Sequence, residues 1–279
     1  MNELLLFAGI VGGVLAGELL GHTPFGAVEI NPYCRRVLRR HYPNLPIHDD
    51  IKTFKPWHLR GHVDIVAGGF PCQDISAAGN GAGLAGARSG LWFEMLRVVE
   101  EVEPLHVFVE NSPLLRSRGL GEVLRGLADL GFDAQWDTLA ASDVGAPHWR
   151  KRLWLLATHT DADRRRRASE RQPQHEDQQG TPRREPDGLG EAGRRHGPHL
   201  ADAGGARLPL PELEDLRRAW RRIEGGAVTE CNWWAAEPDV GRVAHGVPSR
   251  VDRLRALGNA QVPLQAAYAF TTLLERSET

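Results

Sequence analysis

The stretch VDIVAGGFPCQ, residues 63–73, runs from an apolar segment through two glycines and a proline to a cysteine and a glutamine. A short apolar run that stops at glycine is typical of a strand buried on both faces of a parallel sheet. Such sheets collect ligands just beyond the carboxyl ends of their strands, which is where Cys72 would lie. By residue type alone, a cysteine in this setting is more often a small buried hydrophobe than a reactive group. Its role therefore depends on what the rest of the chain places near it.

Further apolar runs alternate with helix-like segments over the first 157 residues. Buried strands are predicted at residues 4–9, 26–30, 63–69, 106–111 and 152–157. Helical spacing of apolar residues predicts helices at residues 32–41, 89–101 and 120–130. This alternation predicts an α/β fold, with an open, mostly parallel sheet and helices on both of its faces.

Size, charge and cysteine content narrow the class of protein. A chain of 279 residues is long enough to bury a substantial core. The chain has three cysteines, Cys34, Cys72 and Cys231, which are far apart. This odd number and wide spacing favour neither a disulfide framework nor a metal site, and they indicate a reducing, cytoplasmic setting. Glu3 and Glu18 in the apolar N-terminal stretch argue against a signal peptide and against a membrane span. The net charge of -2 does not indicate a nucleic-acid binder, although a local basic face would be enough.

Composition changes abruptly after the predicted sheet. Residues 161–199 contain no aromatic residue and a single leucine, Leu189, among charges, prolines and glycines. Such a segment buries too little apolar surface to offset its ordering entropy, so a flexible insertion is expected there. An amphipathic helix is predicted within residues 208–224, with Pro211 near its start, and a last helix begins at Pro263.

Polar and glycine residues follow several of the predicted strands. The first strand leads into FAGIVGG at residues 7–13, where glycines would let a ligand approach the backbone. A tight turn in any α/β protein would have a similar sequence, so this loop alone does not indicate a ligand site. Glu29 ends the second strand, where nucleotide-binding sheets place a carboxylate for ribose hydroxyls. Asp49 and Asp50 come at what should be the end of a third strand, a short one between the apolar runs at 26–30 and 63–69, which makes the run at 63–69 the fourth strand. Together these strand ends favour a nucleoside-containing cofactor.

Groups suited to chemistry follow the next strands along the chain. Cys72 follows the fourth strand, and Glu110 follows three apolar residues in the fifth, where an unpaired acid is unfavourable. Arg150 and Arg152 flank Lys151 at a strand start, and strand alternation puts both arginines on one side. Taken singly, Glu110 could be a solvated loop acid and the arginines a solvated basic strand start.

The combined motifs resemble those of the cytosine-5 DNA methyltransferases of bacterial or phage type. The resemblance rests on FAGIVGG, PCQDIS, VFVENS, HWRKR and GNAQVP, in this order, over residues 4–157 and 251–270. It implies a Rossmann-like fold that uses S-adenosylmethionine, with a small target-recognition region and a C-terminal helix packed beside the first. Val11 departs from the family pattern, which usually has a glycine there.

The resemblance also implies roles for individual residues. Those implied for the cofactor are an adenine stack by Phe7, a methionine pocket shaped by Gly9 and Gly12, a ribose contact by Glu29, an adenine amino contact by Asp50, and a further cofactor contact by Asn259. Those implied for the reaction are Cys72, Glu110, Arg150 and Arg152. No metal is implied.

The chemistry gives an independent reason for the second set. Carbon-5 of cytosine is too poor a nucleophile to take a methyl group directly, so addition at carbon-6 must activate the ring. A thiolate such as that of Cys72 both adds and leaves readily. Glu110 would supply a proton toward ring nitrogen-3, and Arg152 would hold the ring carbonyl oxygen, with Arg150 assisting or bracing the site. The target base must be flipped out of the duplex.

The resemblance predicts three parts of the chain: a catalytic and cofactor-binding domain at 1–158, a variable target-recognition region at 159–248, and a segment at 249–279 that completes the first domain. Arg217, Arg218, Arg221 and Arg222 could reach DNA or form a solvated helix face. The expected partner is double-stranded DNA, with no membrane, and a cognate restriction endonuclease is left open. The rival interpretations are an RNA cytosine methyltransferase, an inactive nucleic-acid-binding relative and, more remotely, a nicotinamide-dependent enzyme.

Overall fold

The structure, a computed structural model, describes residues 1–71, 90–161, 212–223 and 249–277. Cys72 therefore lies outside the described residues, directly after the described Pro71. So do the predicted insertion after residue 161 and the segment that contains Cys231. The side chains of Arg221 and Arg222 are likewise not described.

Seven strands form one mixed sheet in the order β3-β2-β1-β4-β5-β7-β6. The first five are parallel to one another, whereas β7 runs antiparallel to both β5 and β6. The strands are β1 (Asn2–Leu6), β2 (Thr23–Val28), β3 (Ile47–His48), β4 (Ile65–Gly68), β5 (His106–Asn111), β6 (Phe132–Ala140) and β7 (Lys151–His159).

Eight α-helices accompany the sheet within the described parts of the chain. They are α1 (Gly12–Leu19), α2 (Pro32–His41), α3 (Leu91–Val102), α4 (Leu115–Arg118), α5 (Leu120–Asp129), α6 (Leu213–Ile223), α7 (Arg250–Asn259) and α8 (Pro263–Ser277). Short 3₁₀ turns lie at Pro56–Leu59 and Ala141–Val144.

Alternating side chains of the central strands divide the core between two layers. Val66 packs with α3 and α5 on one face of the sheet, whereas Ile65 and Ala67 pack with α1, α6 and α8 on the other. The strands read as continuous apolar runs because both faces are covered. The fold class predicted from the sequence is confirmed: it is a Rossmann-like methyltransferase fold.

The C-terminal helix α8 packs beside α1, as the sequence resemblance implied. Phe270 of α8 is 2% exposed and contacts the ring of Phe108 on β5 edge-on, at 5.3 Å between centroids. Gln265 is fully buried, and its Nε2 donates hydrogen bonds to the carbonyls of Leu139 and Arg150. The last helix is therefore part of the main core.

Two features of the sheet differ from the sequence prediction. Strand β6 was not predicted, although FDAQWDT shows the period-two alternation of a half-buried strand. The last predicted strand was found, but β7 runs antiparallel to its neighbours. Its beginning consequently lies at the carboxyl edge of the parallel strands, which brings Arg150 and Arg152 to the ends of β4 and β5.

Candidate active site

A cleft of about 520 Å³ opens at the carboxyl edge of the sheet. Its described lining comes from the ends of β1, β2, β4 and β5, from the start of β7 and from α7. Of the residues singled out from the sequence, those that line it are Phe7, Gly9, Glu29, Glu110, Arg150, Arg152 and Asn259. Residues separated by up to 250 positions thus share one cavity.

Glu29 presents a carboxylate held by backbone groups on both oxygens. Its Oε2 accepts a hydrogen bond from the Gly9 N–H at 2.8 Å, and its Oε1 accepts one from the Asn31 N–H at 2.7 Å. Each oxygen keeps a further lone pair, so the group can still accept bonds from a pair of neighbouring hydroxyls. Glu29 is only 8% exposed, which fixes its orientation toward the cleft.

The start of α2 fixes this end of the cleft. Asn31 caps the helix by accepting a hydrogen bond from the Tyr33 N–H, and Pro32 occupies the first helical position, where a missing N–H is not needed. Arg35, one turn later, donates from Nη1 to the carbonyls of Glu29 and Ile30 at 2.9 and 2.7 Å. The backbone that carries Glu29 is therefore held from both sides.

Apolar groups flank Glu29. Phe7 lines the cleft at a φ of 54°, and the open space beside Gly9 lets a ligand approach the backbone. Ile30 also lines the cleft and is 70% exposed, although the sequence analysis did not single it out. The signal available in the sequence was an isoleucine directly after a strand-end acid. Two apolar side chains near a carboxylate that can still accept hydrogen bonds would suit the flat ring of a nucleoside.

Glu110 and Arg152 form an ion pair inside the same cleft. The Arg152 Nε lies 2.8 Å from the Glu110 Oε1, and the side chains are 26% and 13% exposed respectively. Burial raises the pKa of Glu110 above that of an ordinary glutamate, although Arg152 and Arg150 favour its ionised form. A carboxyl group with a raised pKa is suited to hold and deliver a proton.

The backbone before Cys72 is fastened to the end of β5. Asn111, 2% exposed, donates from Nδ2 to the carbonyl of Phe70 at 3.2 Å. Gly69 lies so close to Glu110 that an added Cβ would sit 2.6 Å from its Oε2. The strand ends that carry Glu110 and lead to Cys72 are therefore in direct contact. Asn111 belongs to the VFVENS motif, but the sequence did not assign it to the site.

Arg150 has a different environment from Arg152. Its Nη1 and Nη2 donate to the carbonyls of Gly258 and Ala260, each at 2.7 Å. Burial, followed by the charge of Arg152, lowers the pKa of Arg150. The two arginines expected on one side of β7 thus have distinct partners.

Two residues assigned to the cofactor do not line the described cleft. The Asp50 Oδ1 accepts a hydrogen bond from the Lys52 N–H in its own turn. Gly12 faces the backbone of Gln261, and an added Cβ would overlap the carbonyl oxygen of that residue. Arg217 and Arg218 lie near Glu214 and Asp215 one turn earlier on α6, at 3.6 and 3.0 Å.

Metal-ligand clusters and membrane-spanning helices are both absent from the described ranges. No cluster of three or more histidine, cysteine, aspartate or glutamate side chains there is arranged to hold a metal ion. None of the helices in those ranges has the length and apolar character needed to cross a bilayer.

The fold and the cleft define an α/β protein of the Rossmann-like methyltransferase class. The family model of the C-5 cytosine-specific DNA methylases matches residues 1–196, which is most of the chain. The chain therefore belongs to the C-5 cytosine-specific DNA methylase family.

Individual relatives agree with this assignment. The chain is 34% identical over 162 residues to the type II methyltransferase M.CviJI of Paramecium bursaria Chlorella virus IL3A, across 57% of this chain and 44% of that protein. It is also 34% identical over 166 residues to the type II methyltransferase M2.BsuMI of Bacillus subtilis, across 57% and 42%. The match thus spans somewhat under half the length of each relative.

A solved structure supports the fold. The methyltransferase EhMeth of Entamoeba histolytica superposes with a TM-score of 0.55, covering 100% of this chain and 99% of that one. The sequence identity is 13%, so this likeness concerns the architecture alone.

Proposed function

We propose that this protein transfers a methyl group from S-adenosylmethionine to carbon-5 of a cytosine in double-stranded DNA. The observation that carries the proposal is the Glu110–Arg152 pair, joined at 2.8 Å in the cleft that also contains Glu29. One end of the cleft is suited to a nucleoside and the other to a polarised pyrimidine. Family membership supplies the reaction class.

The Glu29 end of the cleft is assigned to the cofactor. The fixed carboxylate of Glu29 would bind the ribose hydroxyls, while Phe7 and Ile30 would flank the adenine. Asn259, which also lines the cleft, would add a further contact. When bound there, S-adenosylmethionine supplies an electrophilic methyl group. Glu29, Phe7, Ile30 and Asn259 are the residues that would hold it.

The Glu110 end is assigned to a flipped cytosine. The thiolate of Cys72 adds to carbon-6, and the displaced electron pair moves into the ring while nitrogen-3 takes a proton from Glu110. The guanidinium of Arg152 binds the ring carbonyl oxygen and stabilises its developing charge. Once carbon-5 carries the methyl group, its proton passes to a solvent water, and the electron pair of the broken C–H bond reforms the double bond between carbon-5 and carbon-6. The thiolate of Cys72 then leaves carbon-6, and nitrogen-3 returns its proton to Glu110.

The relatives named above are type II methyltransferases, and on that basis we also propose a place in a restriction–modification system, acting in the cytoplasm. The partner would then be an endonuclease that cuts the same DNA sequence. Methylated DNA is expected to resist that endonuclease, whereas DNA from a host that lacks this protein is cut.

The experiment measures transfer of a labelled methyl group from S-adenosylmethionine to duplex DNA and to RNA of the same sequence, followed by bisulfite sequencing of the product. We expect 5-methylcytosine in the duplex at one short sequence. Glu110→Gln should reduce the rate by about 100-fold or more, because the proton donor is lost.

The matched control is Glu103→Gln, since Glu103 also pairs with an arginine, Arg60, but does so on the surface at 3.0 Å. It should leave the rate unchanged. Methylation of RNA alone would favour the RNA methyltransferase interpretation. The absence of transfer to either nucleic acid, with cofactor binding intact, would favour an inactive relative.

A further inference from the structure

The Arg150 side chain joins the start of β7 to the last turn of α7 and to the linker that follows it, residues 260–262. The two terminal nitrogens of its guanidinium each donate to a backbone carbonyl, that of Gly258 and that of Ala260. These carbonyls flank Asn259, which lines the cleft. We propose that Arg150 is a positioning residue: it holds Asn259 in the cofactor wall and does not itself contact the cytosine.

The planar fork of an arginine suits this task. Two parallel N–H donors fix both the position and the orientation of the groups they bind, which a lysine ammonium cannot do. The residues joined are 108 and 110 positions apart in sequence. A charge-assisted bond at 2.7 Å to each of two carbonyls therefore fixes the backbone on both sides of Asn259.

Neighbouring contacts hold the same part of the chain in place. The fully buried Gln265 donates from Nε2 to the carbonyl of Arg150 itself at 3.2 Å and to that of Leu139 at 2.8 Å. The backbone of Gln261 lies against Gly12 at the first turn of α1. Asn259 thus sits between the Arg150 bonds on one side and these packed contacts on the other.

Arg152, two residues further along the chain, has different partners from Arg150. Its Nε is directed to Glu110, and its Nη1 donates to the carbonyl of Lys151 at 2.8 Å. Arg152 is therefore the arginine placed to meet a substrate held by Glu110. The two arginines of this motif therefore have different roles. Arg152 contacts the base, and Arg150 positions Asn259 in the cofactor wall.

This inference rests on the proposed function, because it takes Asn259 as a cofactor contact. The test compares Arg150→Ala, Arg150→Lys and Arg152→Ala. For each variant, the dissociation constant for S-adenosylmethionine and the single-turnover methyl-transfer rate at saturating cofactor are measured. Hydrogen exchange of the backbone amides of residues 258–262 reports directly on the end of α7 and the linker.

For Arg150→Ala, we expect cofactor binding to weaken about tenfold or more and linker amides to exchange faster, because two charge-assisted bonds are lost. The saturated single-turnover rate should stay within about threefold of the parent, because the catalytic contacts remain. Arg150→Lys should lie between the parent and the alanine variant. Arg152→Ala should show the opposite pattern, with cofactor binding retained and the rate reduced by about 100-fold.

A double variant separates direct from indirect action. If Arg150 works through Asn259, then adding Asn259→Ala to Arg150→Ala should weaken cofactor binding no further than the worse single variant. A saturated rate reduced 100-fold with unchanged cofactor affinity and exchange would overturn the proposal, since Arg150 would then be a catalytic residue. Additive losses in the double variant would overturn it as well.

The readouts also distinguish this inference from the proposed function. Cofactor affinity and hydrogen exchange need no methyl transfer, so an inactive parent that binds the cofactor would reject the proposed function while the Arg150 test still gives its answer. If Arg150→Ala does not fold, as judged by circular dichroism, Arg150→Lys carries the same comparison. Unchanged affinity and exchange in that variant would contradict the proposal.

Discussion

Val11 has a backbone conformation that suits glycine better than valine. Its φ is 124°, in a region that is strongly unfavourable for a β-branched residue. It precedes α1 in the loop where the family usually has a glycine, a departure already visible in the sequence. Such a residue costs about 1–3 kcal/mol of conformational strain, which the surrounding structure must offset.

Comparing Val11→Gly with Val11→Ala tests this strain. Both variants remove the valine packing, but only glycine removes the Cβ. We expect the glycine variant to be more stable than the alanine variant by about 1 kcal/mol, because strain relief exceeds the usual entropic disadvantage of glycine of about 0.5–1 kcal/mol. Urea unfolding measures the difference. An alanine variant at least as stable as the glycine variant would show that no strain is stored there.

Gly69 allows Glu110 to take its place beside Arg152. A Cβ at residue 69 would lie 2.6 Å from the Glu110 Oε2 and would push the carboxylate away from the arginine. We expect Gly69→Ala to reduce methyl transfer by about 100-fold, because the proton donor is misplaced, while the protein remains folded. Kinetic assays and circular dichroism are the measurements.

The matched control for that variant is Gly121→Ala. Gly121 lies in α5, and an added Cβ there meets no atom within 4 Å. This variant should keep its activity and gain about 0.5–1 kcal/mol of stability, because alanine is the better helix former. Equal activity of both alanine variants would contradict the role given to Gly69.

The raised pKa of Glu110 predicts that the rate of methyl transfer depends on pH. Burial raises its pKa, so the protonated form persists to a higher pH than in an ordinary glutamate. Single-turnover methyl transfer should be supported below that pKa and fall as the pH rises through it. Glu110→Gln should lack this alkaline decline. Retention of the same decline in Glu110→Gln would assign it to another group.

The stability of the fold should follow the same titration. A group whose pKa is raised in the folded state contributes stability that is present below its unfolded pKa and lost as the pH rises through the folded one. The parent should therefore become less stable relative to Glu110→Gln over that interval. This comparison measures the raised pKa independently of catalysis.

At the scale of elements, the parallel strands were predictable and the antiparallel pair was less so. Strands β1, β4 and β5 are buried on both faces and therefore form continuous apolar runs. Strand β6 is half exposed and reads only as an alternation of polar and apolar residues. The reversal of β7 has no local signal, since its direction depends on its pairing with β5 and β6.

Helix α1 and the linker before α8 approach each other through Gly12. A Cβ on Gly12 would meet the backbone carbonyl of Gln261, which cannot move aside without shifting the linker. A Cβ on Gly13 would meet the Leu5 Cδ2 at 2.9 Å and the Gln261 Oε1 at 3.0 Å, and both are side-chain ends that can turn away. The two adjacent glycines therefore make a matched pair.

We expect Gly12→Ala to lower the free energy of unfolding by about 2–3 kcal/mol, because the clash is with backbone. Gly13→Ala should cost at least about 1 kcal/mol less, since side chains can adjust. Urea unfolding gives both values, and hydrogen exchange in α8 shows whether the last helix loosens. Equal losses in the two variants would contradict the backbone contact at Gly12.

At the scale of the whole molecule, contacts between distant parts of the chain decide the site. The sequence identified Glu29, Glu110 and Arg152 because each follows or begins a predicted strand. It could not separate Arg150 from Arg152, because the carbonyls that bind Arg150 lie more than 100 residues away. Nor could it show that Asp50 turns into its own loop, since that depends on one local hydrogen bond.

The central claim is that Cys72 forms a covalent bond to a cytosine during methyl transfer. The direct measurement uses long duplex DNA in which 5-fluorocytosine replaces every cytosine, so that the unknown target sequence is included. Fluorine at carbon-5 takes the place of the proton that must leave, so Cys72 cannot be released. The protein is incubated with this DNA and S-adenosylmethionine, denatured, digested and analysed by mass spectrometry, with unmodified DNA and Cys72→Ala as controls.

The account predicts a methylated fluorocytosine nucleotide attached to the peptide that contains Cys72, and no such adduct in Cys72→Ala or on unmodified DNA. It would be contradicted if the protein methylated the unmodified duplex yet formed no adduct with the fluorinated one, or if the adduct lay on a residue other than Cys72.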